Sequence, residues 1–305
     1  MPGLKGQRGF DKSMVSSCAF HSVGELGAVL PGLVYAYRDD GAQDEKTKWK
    51  PRRVYCTADA NHADPPGIPH VVKYARDRES AAALISEAVS TRLLAAGGLA
   101  TLDMTLVRAS ESFAASCNSK SDFPYAILQG DHFGTILRED VEAGPPLAYD
   151  DIAEPFEIVR LWVFDTWLCN IDRDTYGNTL LKASKAGKFS IIASDQSDCF
   201  CGTGRFCSAD FAKTMGKRGP APAIKLLVSA ISNTGGPAGI KKAIATVNVA
   251  LGSLNQALGC AAEAWWGTAK IDPDEVAKVL IERAAKLEDI LKPSQWGVPD
   301  GAIIL

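Results

Sequence analysis

The chain has 305 residues, of which 46% are apolar and 23% are charged, with a formal net charge of -3. A chain of this length and composition can bury a large core, which excludes the disordered and fibrous classes of protein. Its 33 basic and 36 acidic residues nearly balance, so there is no basic field to bind a nucleic-acid backbone. We therefore expect no nucleic-acid partner.

No segment of the sequence has the pattern of a membrane span or a secretory signal. The apolar runs stay short of the roughly 18 to 20 residues needed to cross a bilayer, and residues 1–17 lack the apolar centre of a signal peptide. The 8 cysteines contain no Cys-x-x-Cys pair, which favours reduced thiols. These features predict a cytoplasmic protein without a membrane partner.

The first 128 residues combine several strand patterns with one helix pattern. Residues 79–96 place apolar side chains at helical spacing and end at Gly97-Gly98, a helix stop signal. The polar, proline-containing stretch from Asp39 to Pro69 predicts a long exposed connection with one short strand inside it. Short apolar runs predict strands at residues 33–37, 54–58, 70–75, 101–109 and 122–130.

The rest of the chain is mostly helical in pattern. The stretch QGDHFGT at residues 129–135 resembles a hinge, and the apolar residues 154–170 predict a buried helix. A hairpin is predicted with arms Thr179–Ala183 and Phe189–Ala193, and a capped helix is predicted after Asp272. The strand-rich pattern of the first part and the helical pattern of the rest predict an α+β chain with two unequal domains, residues 1–128 and residues 129–305.

Two acidic side chains bracket the predicted hairpin. Asp172 precedes its first arm, Asn178 stands at the start of that arm, and Asp195 follows the second arm. Because a hairpin returns the chain to its starting point, the three side chains converge. Phosphoryl transfer uses a carboxylate beside the acceptor hydroxyl and oxygen ligands for magnesium. The three residues therefore predict a phosphoryl-transfer site; the alternative is that each acid is an ordinary turn or loop residue.

Lys73 lies in an apolar strand pattern, where burial of an unpaired ammonium group would be unfavourable. Glu87 follows on the inward face of the predicted helix. A strand lysine paired with a helix glutamate holds the α- and β-phosphates of ATP in protein kinases. We predict an ion pair between Lys73 and Glu87; the alternative is that each side chain is separately solvated.

Five segments of the chain occur in the order VVKYA, LISEAVSTRLLAAGGL, DHFGT, VFDTWLCNIDRDTYGNTLL and IIASD. In this order and spacing they resemble the HipA-like kinases, which share a catalytic core with phosphoinositide kinases. The Asn-Ile-Asp-Arg element at residues 170–173 is the most specific of them. The resemblance implies a bilobal protein-kinase-like fold, with a small β-rich N-lobe that has one main helix and a larger, mostly helical C-lobe.

The same resemblance implies a kinase that uses ATP and Mg²⁺ to phosphorylate serine or threonine, typically in a protein. Lys73 would bind the α- and β-phosphates, and Glu87 would orient it. Backbone amides near Gly24 and Gly27 would approach the phosphates. The resemblance also raises an antitoxin-like or regulatory protein as a partner.

In the catalytic loop, at about residues 169–181, Asp172 would be the catalytic base and Asp195 would ligate magnesium. The protein-kinase pattern places a second metal ligand, an asparagine, five positions after the base, whereas Asn178 lies six positions after Asp172. We predict that Gly177 permits a bulge, so that Asn178 still faces Asp195 as a metal ligand. Two alternatives stay open: a pseudokinase or nucleotide-binding interaction module, and a kinase for a small molecule or lipid headgroup.

Overall fold

The structure is a computed structural model that describes residues 32–42, 50–60, 67–120, 125–143, 149–173, 178–183, 187–200 and 224–292. It is a mixed fold of strands and helices. Within these ranges, no helix is both long enough and apolar enough to cross a membrane.

The first half of the chain forms a closed five-stranded barrel in the order β1-β2-β3-β5-β4. All neighbouring strands are antiparallel except β1 and β4, which are parallel and close the barrel. Alternate side chains of β2 are buried, as expected for strands with one face toward a core. The strands are β1 Gly32–Ala42, β2 Arg52–Thr57, β3 Ile68–Lys73, β4 Met104–Ala109 and β5 Gly130–Ile136. Helix α2, Glu111–Asn118, follows β4 and packs into the same core.

Helix α1, Arg78–Ala96, confirms the predicted helix. Asp77 caps its first turn in a capping box with Ser80. The helix stops at Gly97 and Gly98, and Gly98 has a left-handed φ of 80°, which favours glycine. A Cβ atom on Gly97 would lie 2.1 Å from the Phe164 ring, so close packing requires a glycine there. Helix α1 is buried on most sides, which fixes the position of every side chain along it.

The second half contains the helices and a small sheet. The apolar helix α3, Phe156–Leu168, confirms the predicted buried helix. The predicted hairpin is present with the expected arms, β7 Thr179–Ala183 and β8 Phe189–Ala193, and β6 Glu142–Ala143 pairs beside β7. The later helices are α4 Ile224–Asn233, α5 Pro237–Leu251, α6 Leu254–Leu258, α7 Glu263–Ala269, α8 Pro273–Ala285 and α9 Leu287–Ile290.

The buried apolar side chains fall into two clusters. One fills the barrel and includes Val54, Val72 and Val107. The larger cluster joins α1 to α3 and to the later helices, with Trp162 and Trp265 among its members. Helix α1 therefore follows the barrel strand β3 in sequence, but it packs into the helical core.

The strand predicted at residues 122–130 and the hinge predicted at 129–135 are wrong. Residues 125–129 are not a strand, and the supposed hinge is β5, which pairs with β3 on one side and β4 on the other. Its glycine at Gly134 serves packing, because a Cβ atom there would lie 2.5 Å from Val107 Cγ2. The boundary predicted between residues 128 and 129 stays a prediction, although β5 lies after it and completes the barrel.

The long exposed connection predicted from Asp39 to Pro69 is also wrong where the structure describes it. Strand β1 continues to Ala42, and β2 begins at Arg52. Arg52 donates two hydrogen bonds to the Asp39 carboxylate, and both side chains are buried. Because their charges are paired, Asp39 and Arg52 can be buried, although the composition of this stretch suggests a solvated loop.

Candidate functional site

Lys73 is the last residue of β3, and its ammonium group contacts two carboxylates. Nζ lies 2.8 Å from Glu87 Oε2 and 2.7 Å from Asp195 Oδ1. The ion pair predicted between Lys73 and Glu87 is thus confirmed, and Asp195 joins it. We call Lys73, Glu87 and Asp195 the ion-pair cluster.

Three separate elements bring this cluster together. Strand β3 carries Lys73 opposite Phe133 of β5, the inward face of α1 carries Glu87, and Asp195 follows the end of β8. The turn from β3 to α1 is held by His132, whose Nδ1 accepts a hydrogen bond from the Ala75 N–H while its Nε2 lies 3.0 Å from Leu128 O.

His132 has a structural role. A nitrogen that accepts a backbone N–H is unprotonated, so the proton resides on Nε2, which donates to Leu128 O. Burial lowers the pKa of His132 to about 4, which keeps the ring neutral.

The three groups of the ion-pair cluster differ in how strongly each one keeps its charge. Burial acts to lower the pKa of Lys73, but attraction to Asp195 and Glu87 outweighs burial and raises it. Burial also acts to raise the pKa of Asp195, yet Lys73 and Ser197 lower it below its ordinary value. For Glu87, burial outweighs Lys73 and raises the pKa to about 7. Of the two carboxylates, Asp195 is therefore firmly ionised, and Glu87 takes up a proton first as the pH falls.

Asp195 has the features of a cation ligand. Its φ is 48°, in the left-handed region that non-glycine residues occupy at some cost, and Ser197 fixes it through hydroxyl and N–H contacts to Oδ1 of 2.6 Å and 3.3 Å. Among the described residues, none donates a hydrogen bond to Oδ2. An ionised carboxylate with one oxygen open suits Mg²⁺, which prefers hard oxygen ligands.

A tight turn after α3 presents Asp172. Cys169 ends the helix with a left-handed φ of 52°, and the Asn170 N–H returns to the carbonyl oxygen of Asp165 at 2.9 Å. Asn170 Oδ1 then accepts the Asp172 N–H at 3.0 Å. Asp172 is partly exposed, so its carboxylate is held by the turn and still open to solvent.

A buried group of polar side chains supports this turn. Arg173 donates two hydrogen bonds to Asp165, at 2.9 Å and 3.0 Å, and a third to Gln196 Oε1 at 2.7 Å. Asn170 Nδ2 contacts Asp165 Oδ1 at 3.2 Å and Gln196 Oε1 at 3.4 Å. We call Asp165, Asn170, Arg173 and Gln196 the loop anchor. Asp165 therefore supports this turn through the side chains of Asn170 and Arg173.

Asn178 lies against Asp172. Its Nδ2 donates to Asp172 O at 2.5 Å and to Asp172 Oδ2 at 3.0 Å, while its backbone carbonyl accepts hydrogen bonds from Arg173 and from the Ser194 N–H. The structure therefore brings Asn178 and Asp172 together. The shared metal site of Asn178 and Asp195 stays a prediction, and the bulge predicted at Gly177 lies outside the described residues.

The glycine turn predicted to approach the phosphates, at Gly24 and Gly27, also lies outside the described residues. Within the described ranges, no group of three or more His, Cys, Asp or Glu side chains is arranged to hold a metal ion. Magnesium at Asp195 would thus need ligands from an amide, from water or from bound phosphate, which is how Mg²⁺ is commonly held in kinase sites.

Sequence reasoning missed Gln196 and Ser197, and it assigned no role to the side chain of Asn170. All three are buried polar residues. A signal was available in the SDQSD run directly after the apolar strand β8, because consecutive polar residues that continue a buried strand need hydrogen-bond partners.

Comparison with known proteins gives a distant structural likeness. No protein-family model matches the chain, and no curated protein matches it. Among solved structures, the chain is similar to the crystal structure of a Helicobacter pylori proinflammatory kinase, CtkA, with 11% identity and a TM-score of 0.45. The alignment covers 78% of this chain and 89% of that chain. A TM-score of 0.45 supports no conclusion about function.

Proposed function

We propose that this chain is a phosphotransferase that uses ATP and Mg²⁺ to phosphorylate a serine or threonine hydroxyl of a protein. The observation that carries the proposal is the ion-pair cluster, in which Lys73 bonds both Glu87 and Asp195. Three groups from distant parts of the sequence meet there, beside the loop that presents Asp172. An ion pair with a purely structural role does not need an ionised carboxylate that keeps one oxygen without a hydrogen-bond donor.

The proposal includes a bilobal, protein-kinase-like arrangement. The barrel and α1 form the N-lobe, and α3, the hairpin and the later helices form the C-lobe. The separate hydrophobic cluster inside the barrel supports a distinct barrel, and α1, although it packs into the helical core, is joined to the barrel by the ion pair of Lys73 and Glu87. Lys73 and Glu87 then belong to the N-lobe and Asp172 and Asp195 to the C-lobe, so a nucleotide bound between them would contact both.

Each residue of the site has a distinct proposed role. Lys73, held cationic by its two carboxylates, binds the α- and β-phosphates of ATP, and Glu87 orients its ammonium group. Asp195 and Asn178 hold magnesium, which when bound offsets the negative charge of the phosphates. Asp172 accepts the proton of the acceptor hydroxyl, and Asn178 Nδ2 donates a hydrogen bond to its Oδ2.

The test is phosphate transfer from labelled ATP. Purified protein is incubated with γ-labelled ATP and magnesium, alone and with cell extract, and labelled sites are located by mass spectrometry. We expect label on serine or threonine with the wild-type chain and none with Asp172→Ala, which should keep its fold and most of its nucleotide affinity because the base acts on the acceptor.

A second variant separates metal binding from base chemistry. Asp195→Ala should weaken magnesium-dependent nucleotide binding as well as transfer. Equal affinity of the wild-type chain for ATP with and without magnesium would contradict the role of Asp195. Nucleotide binding without any transfer would favour a nucleotide-binding interaction module, and label only on a small molecule or lipid would change the substrate class.

A further inference from the structure

Gln196 directly follows Asp195, is fully buried, and uses both ends of its side-chain amide. Oε1 accepts hydrogen bonds from Arg173 Nη2 at 2.7 Å and Asn170 Nδ2 at 3.4 Å, and Nε2 donates to Ser194 O at 3.1 Å. We propose that Gln196 is a positioning residue that couples the ion-pair cluster to the loop carrying Asp172. The proposal rests on the proposed phosphotransferase function.

The backbone of Gln196 reaches the other half of the site. The preceding residue, Asp195, contacts Lys73, and the Gln196 backbone acts to lower the pKa of the Glu87 carboxyl. One residue therefore joins the ion-pair cluster through its main chain, as the covalent neighbour of Asp195, and the catalytic loop through its side chain. Among the described contacts, no residue of the ion-pair cluster itself has a hydrogen bond to Asn170.

Two hydrogen-bonded paths lead from the Gln196 side chain toward Asp172. The first passes through Asn170, whose Nδ2 contacts Gln196 and whose Oδ1 holds the Asp172 N–H. The second passes through Arg173, which bonds the backbone carbonyl of Asn178, and Asn178 in turn bonds the Asp172 carboxylate. Both paths are buried for most of their length, where an unmatched donor is costly.

Glutamine fits this position for a chemical reason. The site needs one acceptor for the Arg173 and Asn170 donors, with the Cys199 thiol also within reach at 3.8 Å. It needs one donor for a carbonyl oxygen and no additional charge beside Asp195. Leucine has a similar volume but would leave Arg173 and Asn170 each without one acceptor. Glutamate would keep the acceptor, but it would lose the donor to Ser194 O and add a negative charge.

The kinetic test compares Gln196→Leu with wild type at varied ATP concentration. Freed from Gln196, the loop should misplace Asp172, and displacement on the order of 1 Å lowers rates by about 100-fold. We expect kcat to fall about 10- to 100-fold, while KM for ATP stays within about 3-fold because the ion pairs of Lys73 with Glu87 and Asp195 remain. Gln196→Glu, which keeps the acceptor, should retain more of kcat than Gln196→Leu.

An activity-independent measurement accompanies the kinetics. Amide hydrogen exchange should show lost protection at residues 169–173 in Gln196→Leu, with α1 unchanged. Gln256→Leu makes the same substitution at an exposed position of α6 and should change neither measurement.

The outcomes distinguish failure of the proposed function from failure of the proposed coupling by Gln196. A wild-type chain that transfers no phosphate counts against the proposed function, whereas exchange at residues 169–173 still decides the coupling. Unchanged exchange there in Gln196→Leu overturns the coupling, as does kcat within about 3-fold of wild type. Equal loss of protection in α1 and the loop would show a general loss of stability and would also overturn it. If Gln196→Leu does not fold, Gln196→Glu carries the test, with intermediate loss of protection expected in the loop alone.

Discussion

The ion-pair cluster and the loop anchor are both networks of charged and polar side chains, but they are built differently. The side chains of Lys73, Glu87 and Asp195 are 12%, 5% and 29% exposed and come from three distant elements. Arg173 and Asp165 are 1% and 0% exposed and lie eight residues apart. The ion-pair cluster, which is partly exposed, can exchange one of its partners for a ligand. The loop anchor is buried and can only be kept or broken.

This difference separates two tasks. A group that binds phosphate must give up some of its existing contacts, so an accessible cluster with one titrating carboxylate suits binding. A base must stay in one place during the reaction, so a turn fixed from beneath by buried hydrogen bonds suits proton transfer. The predictions below test whether the two networks behave in these distinct ways.

The largest expected effect is from loss of Arg173. Arg173→Met leaves the Asp165 carboxylate buried and unpaired, which should lower the free energy of unfolding by about 3 to 5 kcal/mol. Chemical denaturation of the variant and the wild-type chain measures this change.

The chain offers a closely matched control. Arg108 donates two hydrogen bonds to Asp131, at 2.7 Å and 2.9 Å, in the same paired geometry, but its side chain is 47% exposed. Arg108→Met should change stability by less than about 1 kcal/mol. Equal losses in the two variants would show that the burial of the loop anchor has no special consequence.

The ion-pair cluster should respond to pH through Glu87. Its pKa is raised to about 7 in the folded protein from an ordinary value of 4.5, so between these values the folded chain holds a proton that the unfolded chain releases. The contribution of Glu87 to the free energy of unfolding should therefore fall as pH rises through this window, by an amount on the order of 3 kcal/mol. Buried His132, whose pKa is lowered to about 4, contributes in the opposite direction, so the Glu87 contribution is the difference between the wild-type chain and Glu87→Gln. Denaturation at pH 4.5 and pH 7.5 measures it.

Glu87→Gln should lose this pH-dependent difference, because an amide does not titrate. Glu79→Gln, which removes an exposed glutamate from the same helix, is the matched control for charge removal. Parallel stability curves for the wild-type chain and Glu87→Gln between pH 4.5 and pH 7.5 would contradict the assigned protonation order.

A smaller effect is expected from Asn178→Ala. The substitution removes the hydrogen bond to Asp172 Oδ2 but keeps the backbone carbonyl that Arg173 contacts. Turnover should fall about 10-fold or more with little change in stability, because a hydrogen bond to a charged group is lost. Asn255→Ala on the exposed surface of α6 is the control, and an Asn178→Ala variant with wild-type turnover would remove Asn178 from the site.

The sequence predicted those parts of the fold that local chemistry determines. Helix α1 has its own stop signal at Gly97 and Gly98, and the hairpin of β7 and β8 has strong strand formers around a turn. The ion pair of Lys73 and Glu87 was predictable because a buried ammonium requires a carboxylate. In each case, the deciding residues are close in the sequence or share one burial requirement.

The missed features depend on distant contacts. Strand β5 contains two glycines and was interpreted as a hinge, because its pairing with β3 and β4 cannot be read from its own residues. Asp39 and Arg52 looked like loop residues because a buried pair has the same composition as an exposed one. Gln196 showed no motif, since its role follows only from where Asn170 and Arg173 lie in space.

The most direct test compares ATP affinity and phosphate transfer in Lys73→Met and Asp172→Asn, one variant for each half of the site. We expect Lys73→Met to lose at least about 10-fold in affinity for magnesium-ATP, since it removes a cationic phosphate ligand. Asp172→Asn should bind within about 3-fold of wild type but transfer no phosphate, since the base acts on the acceptor. Full affinity in Lys73→Met, or wild-type transfer in Asp172→Asn, would contradict the account.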